Sequence, residues 1–326
     1  MPERRLEYAR EIEAAGLSPP DETTMHHLWQ IVDEGVLGAT RHVALGNQLL
    51  VHLIDSGADG LKRARLAADF IARTRGHDTP VIGNSLALLL AGLDEVDAAR
   101  QADLLRSRIA AWDVAAAQRK RNLVAAACAH LAGVRGIMAF DYSSTVAAIV
   151  VELAKVRPDL RIVVPESRAI AGGARYLEEF LPHGLMVDYI PDAAIEYGLT
   201  LSEAVLFGVE TLRCDGSFLN TIGSRMIARL AVDMNIAVYG ATDLLKLDMR
   251  SYRGLRPEPA LRSYDAVLKS GLAIAGLERA ATRAPELEVI PARLATALLT
   301  EHGPVPPAAI WALGRATFTP GDEARA

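Results

Sequence analysis

Apolar residues recur at the three-to-four-residue spacing of amphipathic helices over the first part of the chain. Helices are predicted from Asp21 or Thr23 onward, near Gly60–Thr74, near Asn84–Gly92, and over a long Ala-rich stretch at about Glu95–Leu131. None of these segments shows the strict alternation of polar and apolar residues that is typical of strands. The pattern therefore predicts a helical domain over residues 1–132.

Beyond Gly133 the pattern changes to short apolar runs that alternate with helical segments of about ten residues. The apolar runs are RGIMAF, RIVVPE, GLMVDYI, EAVLFGV and NIAVYGA. Because strands that alternate with helices form repeated β-α-β units, these runs predict a parallel sheet. The tail is predicted to add a strand, LEVIP, and a helix over ARLATALLTEHG. The predicted fold class is α/β, with an N-terminal helical domain followed by a C-terminal Rossmann-like, doubly wound parallel sheet over residues 133–326.

The composition of the chain argues against two kinds of binding partner, nucleic acid and membranes. Charged residues make up 23% of the chain, and 35 Lys and Arg against 40 Asp and Glu give a net charge of −5, which provides no basic field for nucleic acid. The longest apolar runs, such as Leu86–Leu90, are too short to cross a membrane. Two cysteines, Cys128 and Cys214, and a charged start without a signal peptide favour a reducing compartment. We expect a cytoplasmic protein that binds neither nucleic acid nor membranes.

Polar side chains follow several of the predicted strands. Asp141 and the hydroxyl residues after it follow the first strand, Glu166 and Arg168 follow the second, Glu210 follows the fourth, and Lys246 follows the fifth. Open α/β sheets bind ligands outside the carboxyl ends of their strands, so these side chains are expected to meet at one edge. Hydroxyls at a helix start, together with Arg and Lys, suit a phosphorylated ligand.

Each of these signals also has a purely structural interpretation. Ser143 or Ser144 could simply cap a helix, Arg168 could be a solvated surface side chain, and Asp192 is expected to be an N-terminal cap. The sequence contains no phosphate-binding loop, no dinucleotide fingerprint and no Gly-x-Ser-x-Gly motif. Its eight histidines show no metal-binding spacing. We therefore expect neither a metal nor another cofactor.

One ordered set of motifs resembles a known family. Gly208-Val209-Glu210 is followed by Asn220-Thr221-Ile222-Gly223-Ser224, and Thr74-Arg75, Glu166-Ser167-Arg168 and Asp192-Ala193-Ala194 stand in the family order. This set is similar to the alpha, beta and delta subunits of initiation factor 2B and to their relatives, methylthioribose-1-phosphate isomerase and ribose-1,5-bisphosphate isomerase. The similarity covers about Gly35 to Gly303. It implies the same two-domain architecture, a phosphorylated sugar as ligand, and a homo-oligomer, either a dimer or a hexamer.

The resemblance also implies which residues form the site. Asp141 stands at the position of the isomerases' Cys, Glu210 at the position of their Asp, and Thr221 at that of a Lys. Leu37 replaces an Arg, so two cations of the phosphate site are absent, and a monophosphate is expected rather than a bisphosphate. Asp141 and Glu210 are the expected catalytic residues. The expected substrate-binding residues are Gly38, Ala39, Arg41, Arg75, Tyr142, Ser143, Ser144, Glu166, Arg168, Asn220, Thr221 and Lys246.

Two functions are consistent with these residues. In the first, Asp141 and Glu210 act as paired carboxylates, and burial with mutual repulsion raises one pKa so that one acid donates a proton while the other accepts one. The protein is then an aldose–ketose isomerase with altered acid and base residues. In the second, the protein binds a phosphorylated metabolite or a protein partner without catalysis, as the regulatory subunits of the family do.

Overall fold

The computed structural model describes residues 3–33 and 39–318. Contacts within the chain divide it into two compact units. The helical unit contains the described residues up to Gln118, together with Leu245–Leu247 and Phe318, and the α/β unit contains Arg119–Leu244 and Asp248–Thr317. The division falls inside one long helix, which the domain limits predicted from the sequence assign wholly to the first domain. Those limits remain a prediction.

The helical unit is built from amphipathic helices, as the spacing of apolar residues predicts. Its helices are α1 (Glu3–Ala14), α2 (Glu22–Val32), α3 (Ala39–Ile54), α4 (Gly60–Arg73), α5 (Arg75–Asp78), α6 (Pro80–Leu90) and the first part of α7 (Ala98–His130). Asp21 caps α2, because its carboxylate accepts a hydrogen bond of 2.7 Å from the backbone N–H of Thr24. The side-chain amide of Asn84 donates to the carbonyls of Leu245 and Leu247, both at 2.8 Å. This amide fixes the short segment that contains Lys246 within the unit.

The remaining elements belong to the α/β unit, apart from the first residue of the two-residue strand β8. The helices are α8 (Ser144–Val156), α9 (Gly172–Phe180), α10 (Ile195–Thr200), α11 (Ser224–Asp233), α12 (Asp265–Leu268) and α13 (Ile310–Thr317). The strands are β1 (Gly136–Phe140), β2 (Arg161–Pro165), β3 (Val187–Ile190), β4 (Ala204–Gly208), β5 (Thr211–Arg213), β6 (Phe218–Thr221), β7 (Ala237–Ala241), β8 (Leu247–Asp248), β9 (Leu261–Ser263), β10 (Arg283–Pro285), β11 (Leu287–Ile290), β12 (Ala297–Thr300) and β13 (Gly303–Val305).

The central sheet has the strand order of a dinucleotide-binding fold. Seven strands lie in the order β13-β12-β7-β4-β1-β2-β3, and all neighbouring pairs are parallel except β12 with β13. Counted along the chain, the six parallel strands stand in the order 3-2-1-4-5-6, so the order reverses between β1 and β4. The predicted α/β fold with a helical N-terminal part and a parallel sheet is confirmed.

Burial explains why the central strands read as continuous apolar runs. Every residue of β1 and of β4 is buried, as expected for strands that are covered on both faces. The core cluster contains Ile137 and Ala139 of β1, Leu206 of β4, and Ile149 and Val150 of α8. Burial of such side chains stabilises the fold by about 1.5–3 kcal/mol each. The core fixes the carboxyl ends of β1 and β4 beside each other.

Two details of the chain path differ from the sequence prediction. The segment ARLATALLTEHG is not a helix, because it forms a short 3-10 turn at Ala292–Leu294 followed by strand β12. The run ALLT is buried along its whole length, and a short apolar run of that kind does not distinguish strand from helix by its spacing. Strand LEVI exists as β11, but it pairs with β6 in a second sheet of order β11-β6-β5-β8.

The second sheet explains the stretch between Glu210 and Asn220, which the sequence indicated only as a turn. The stretch forms a hairpin in which β5 pairs antiparallel with β6. Gly216 in the connecting turn has φ 78°, and the preceding Asp215 gives the Asp-Gly pair that is typical of hairpin turns. In the described part of the chain, no helix has the length and apolar character that a membrane span requires.

Candidate functional site

The two predicted catalytic acids lie at the point where the strand order reverses. Asp141 directly follows β1, and Glu210 comes two residues after the end of β4. The two strands are parallel neighbours, and their last paired residues are Phe140 and Phe207. The crevice at the carboxyl ends of such a strand pair is where open α/β sheets bind ligands.

Asp141 is a buried carboxylate with one oxygen bonded and one oxygen free. Only 8% of the residue is exposed, and its backbone has φ 59°, a left-handed conformation that Asp adopts more readily than most residues. The hydroxyl of Thr221 donates to Oδ2 at 2.5 Å, whereas no group among the described residues forms a hydrogen bond with Oδ1. A buried acceptor without a partner is uncommon and marks this carboxyl as a candidate for function.

The surroundings of Asp141 favour its protonated form. Burial, with a smaller contribution from the negative charge of Glu210, raises the pKa of its carboxyl to about 6. This rise is opposed by the hydrogen bond from Thr221, by the nearby backbone N–H of Tyr142 and by the positive charge of Arg175. Burial is the largest of these effects, so a carboxyl that is ordinarily ionised near neutral pH retains part of its proton there.

Glu210 has a more open position than Asp141. It is partly exposed, and its backbone N–H donates to the carbonyl of Leu219 at 2.9 Å, which fastens it to the hairpin of β5 and β6. The two carboxylates therefore occupy different environments on neighbouring strands.

The residues that follow Asp141 form the start of α8. The hydroxyl of Ser143 accepts a hydrogen bond of 3.4 Å from the backbone N–H of Val146. Ser143 is therefore a helix cap, as the structural interpretation of this residue predicted. Tyr142 donates its hydroxyl proton to Glu179 at 2.9 Å, and Ser144 is exposed. A Cβ atom at Gly208 would lie 2.6 Å from that of Ser143, so β4 needs glycine at this position.

The polar groups from Asn220 to the start of α11 form hydrogen bonds with each other and with Glu288. The Asn220 amide donates to the hydroxyl of Ser224 at 3.0 Å, and that hydroxyl donates to the carbonyl of Thr221 at 2.7 Å. The carboxylate of Glu288, on β11, accepts the backbone N–H groups of Gly223 and Arg225 at 2.7 and 2.8 Å. A carboxylate thus occupies the N-terminus of α11, where a phosphate could otherwise bind.

Asp192 has a structural role that differs from the predicted one. The 3-10 turn at Asp192–Ala194 has Pro191 at its cap position, so the prediction that Asp192 caps its own helix was wrong. Its carboxylate instead accepts the backbone N–H groups of Ser167 and Arg168, both at 2.9 Å. These bonds are needed because the loop after β2 turns sharply, with φ 46° at Ser167. The side chain of Arg168 is exposed and Glu166 is partly exposed.

Most of the predicted site residues belong to the α/β unit, and the others that the structure describes belong to the helical unit. Asp141, Tyr142, Ser143, Ser144, Glu210, Asn220 and Thr221 lie around the ends of β1, β4 and β6 in the α/β unit. Ala39, Arg41, Arg75 and Lys246 belong to the helical unit, in which Arg41 is exposed and Arg75 and Lys246 are partly buried. Gly38 lies outside the described residues.

Three residues that contact the turn after β1 or the start of α11 were not found by sequence reasoning. Tyr176 on α9 is fully buried, and its hydroxyl accepts the backbone N–H of Ser143 at 3.2 Å. A side chain at Gly172 would overlap Oδ1 of Asp141. Glu288 lies on a strand that was not predicted to pair near the site. The Gly172-Gly173 pair at a helix start was the only signal in the sequence that could have indicated this close approach.

Comparison with known proteins decides the family. The model of the initiation factor 2 subunit family matches residues 61–307. The chain belongs to the initiation factor 2 subunit family. A ribose 1,5-bisphosphate isomerase of Haloterrigena turkmenica is 28% identical over 269 residues, which cover 79% of this chain and 80% of that protein. A methylthioribose-1-phosphate isomerase of Heliobacterium modesticaldum is 26% identical over 148 residues, 44% of this chain and 43% of that protein.

Solved structures of the family share the fold. A Pyrococcus horikoshii protein described as translation initiation factor eIF-2B superposes with a TM-score of 0.70 at 19% identity, over 88% of this chain and 98% of that one. A 5-methylthioribose 1-phosphate isomerase of the same organism gives a TM-score of 0.71 at 19% identity, over 90% and 88%. Family members with both kinds of name therefore have this fold, so the fold alone does not choose between the two predicted functions.

Proposed function

We propose that the protein is a sugar-phosphate isomerase that interconverts the aldose and ketose forms of a phosphorylated pentose or a related sugar. The observation that carries the proposal is the carboxyl of Asp141, which is buried, has one oxygen without a partner among the described residues, and lies with Glu210 at the switch point of the sheet. The relatives named ribose 1,5-bisphosphate isomerase and methylthioribose-1-phosphate isomerase support the same class of reaction.

The proposed chemistry is the transfer of a proton between adjacent sugar carbons. The C–H bond at C2 and the bond between C1 and the ring oxygen break, an enediol phosphate forms, and a new C–H bond forms at C1, so no external oxidant or reductant is needed. A base must accept the first proton, and an acid must protonate the developing oxyanion. Asp141, with its pKa raised to about 6 by burial, is the proposed acid, and the more exposed Glu210 is the proposed base. Two carboxyl groups in unlike environments can divide these tasks.

The contacts of Thr221 and of the start of α11 favour a monophosphate as substrate. Thr221 replaces the family's Lys and donates its hydroxyl proton to Asp141, and Glu288 occupies the N-terminus of α11. Both features remove positive potential that a second phosphate would require. The roles of Arg41, Arg75, Arg168 and Lys246 in holding the phosphate stay predictions, as do the dimer or hexamer and the cytoplasmic location.

One observation favours the alternative, a subunit that binds a ligand or a protein partner without catalysis. The side chains of Asn220 and Thr221 and two N–H groups at the start of α11 all bond to other protein groups. A segment whose polar groups all bond to other protein groups in this way can have a structural role only. The free Oδ1 atom of Asp141 is the feature that this alternative leaves unexplained.

The test is a turnover assay on ribose 1-phosphate, ribose 1,5-bisphosphate and the 5-deoxy and 5-methylthio analogues of ribose 1-phosphate, with ketose formation as the readout. We expect ketose from at least one monophosphate. Asp141→Asn should slow turnover by about 10²–10⁴-fold and retain binding. The control Asp265→Asn, which alters an exposed carboxylate on α12, should leave turnover unchanged. Binding by the wild-type protein without any ketose would contradict the isomerase and favour the alternative.

A further inference from the structure

Helix α9 packs one face against the turn that carries Asp141. Gly172, Tyr176 and Phe180 are spaced four residues apart, lie on the same face of the helix, and are all buried. At Gly172 the absence of a side chain lets the helix approach the carboxylate, because a Cβ atom there would overlap Oδ1 of Asp141. One turn later, the hydroxyl of Tyr176 reaches the backbone N–H of Ser143 at 3.2 Å.

The turn needs support from outside. Asp141 has φ 59°, a backbone conformation that costs a non-glycine residue free energy unless its surroundings hold it in place. Ser143 is the cap residue of α8, so its N–H group has no acceptor within that helix. The hydroxyl of Tyr176 is the acceptor that this N–H finds. Tyr176 is itself fixed by its ring contacts with Tyr142 and Phe180, whose ring centroids lie 5.4 and 5.2 Å away.

Two complementary buried groups remain beside this bond. The hydroxyl of Tyr176 accepts one hydrogen bond, and no described residue accepts its proton. Oδ1 of Asp141 is an acceptor without a donor among the same residues. The two groups are close enough that the charge of Asp141 raises the pKa of Tyr176, after the larger effect of burial. Leaving both unpaired is unfavourable in a buried site, and a hydrogen bond between them would satisfy both.

We propose that Tyr176 is the positioning residue of Asp141: its hydroxyl holds the Asp141–Ser143 turn by accepting the Ser143 N–H, and it donates a hydrogen bond to Oδ1 when the carboxyl ionises. This inference deepens the proposed function, because it concerns the acid assigned there. The other charged groups that act on Asp141 are Glu210, after β4, and Arg175, on α9. Neither one lies on the element that carries Asp141.

The test measures the titration of Asp141 and does not depend on turnover. Carboxyl carbons of aspartate are followed by NMR against pH in the full chain, and Asp141→Asn identifies the signal. Tyr176→Phe removes a donor to the ionised carboxyl, so we expect its titration midpoint to rise by about half a pH unit or more. The control is Tyr239→Phe, which removes another buried hydroxyl of the same unit, 3.3 Å from His130, and should leave the midpoint unchanged.

Hydrogen exchange of the Ser143 amide tests the other half of the proposal. This amide should exchange faster in Tyr176→Phe, because its acceptor is gone, and at the wild-type rate in Tyr239→Phe. Should Tyr176→Phe fail to fold, fluorotyrosine at position 176 keeps the ring and strengthens the donor, so it should lower the Asp141 midpoint. A midpoint that stays constant in these variants, or one that falls in Tyr176→Phe because solvent enters, would overturn the proposal. A turnover assay without ketose would overturn the isomerase but not this positioning role.

Discussion

The hydroxyl of Thr221 donates to Oδ2 of Asp141 at 2.5 Å, although 80 residues separate the two along the chain. The resemblance to the family predicts that both residues depart from the isomerases, which have Cys at the position of Asp141 and Lys at that of Thr221. On that prediction the two departures are coupled, because the neutral donor and the carboxyl share one buried hydrogen bond.

We expect Thr221→Val to raise the pKa of Asp141 above its value of about 6. The hydroxyl bond stabilises the ionised carboxyl, and the nearly isosteric valine removes that bond without leaving a large cavity. The loss should cost about 1–3 kcal/mol at a pH at which the carboxyl is ionised. The matched control is Thr221→Ser, which keeps the hydroxyl. Denaturant unfolding and carboxyl NMR measure the two effects, and equal behaviour of the two variants would contradict the assignment.

The free energy of unfolding should depend on pH because the pKa of Asp141 differs between the folded and unfolded states. Its pKa rises from 3.8 to about 6 on folding, so between these values the native state binds more protons than the unfolded state and stability falls as pH rises. Below about pH 4 both states are protonated and this penalty vanishes. Above about pH 6 the full penalty, about 3 kcal/mol, is present.

The comparison of wild type with Asp141→Asn isolates this contribution from that of other groups. The variant has no carboxyl to ionise, so its stability relative to wild type should increase by about 2–3 kcal/mol between pH 4 and pH 7. Urea unfolding at a series of pH values measures the difference. A difference that stays flat across this range would show that the carboxyl titrates normally.

Glu288 should stabilise the start of α11. Its carboxylate accepts two backbone N–H groups there, so Glu288→Ala should lower the free energy of unfolding by about 1–2 kcal/mol. Glu286→Ala is the matched control, because that carboxylate lies two residues earlier and forms an exposed pair with Arg262. The control should change stability by less than about 1 kcal/mol. Similar losses in both variants would contradict the capping role.

Gly208 should be intolerant of a side chain. An alanine there would place its Cβ atom 2.6 Å from that of Ser143 and force β4 away from the turn after β1, at a cost of about 1–3 kcal/mol. Gly133→Ala provides the control, since nothing lies within 4 Å of a Cβ atom at that position. Thermal unfolding of the two variants measures the contrast. If Gly208→Ala is as stable as the control, the close approach of β4 to Ser143 does not constrain the sequence.

The sequence predicted the sheet well because its strands are buried on both faces. The runs that became β1 and β4 are apolar throughout, so their place in a parallel sheet could be inferred without knowledge of contacts. The run ALLT was assigned to a helix because three apolar residues and a threonine are too few to show a period. Tertiary pairing with β7, which the sequence does not display, made it a strand.

The candidate site was predicted only where it depends on strand ends. Asp141 and Glu210 could be placed because each follows an apolar run, and the sheet rule brings such positions to one edge. Glu288 and Tyr176 could not be found, because they reach the site from β11 and α9 through packing. The role of Asp192 was misjudged for the same reason, since its carboxylate bonds to a loop 24 and 25 residues away along the chain.

The central claim is that Asp141 transfers a proton in an aldose–ketose isomerisation. Its most direct test is the incorporation of deuterium from heavy water into the ketose product, with the wild-type protein and Asp141→Asn incubated with ribose 1-phosphate and its 5-methylthio analogue. We predict that the wild-type protein forms ketose that carries deuterium on the carbon that receives the proton, and that Asp141→Asn slows this by about 10²–10⁴-fold while still binding the sugar. Equal incorporation by the two proteins would contradict the account.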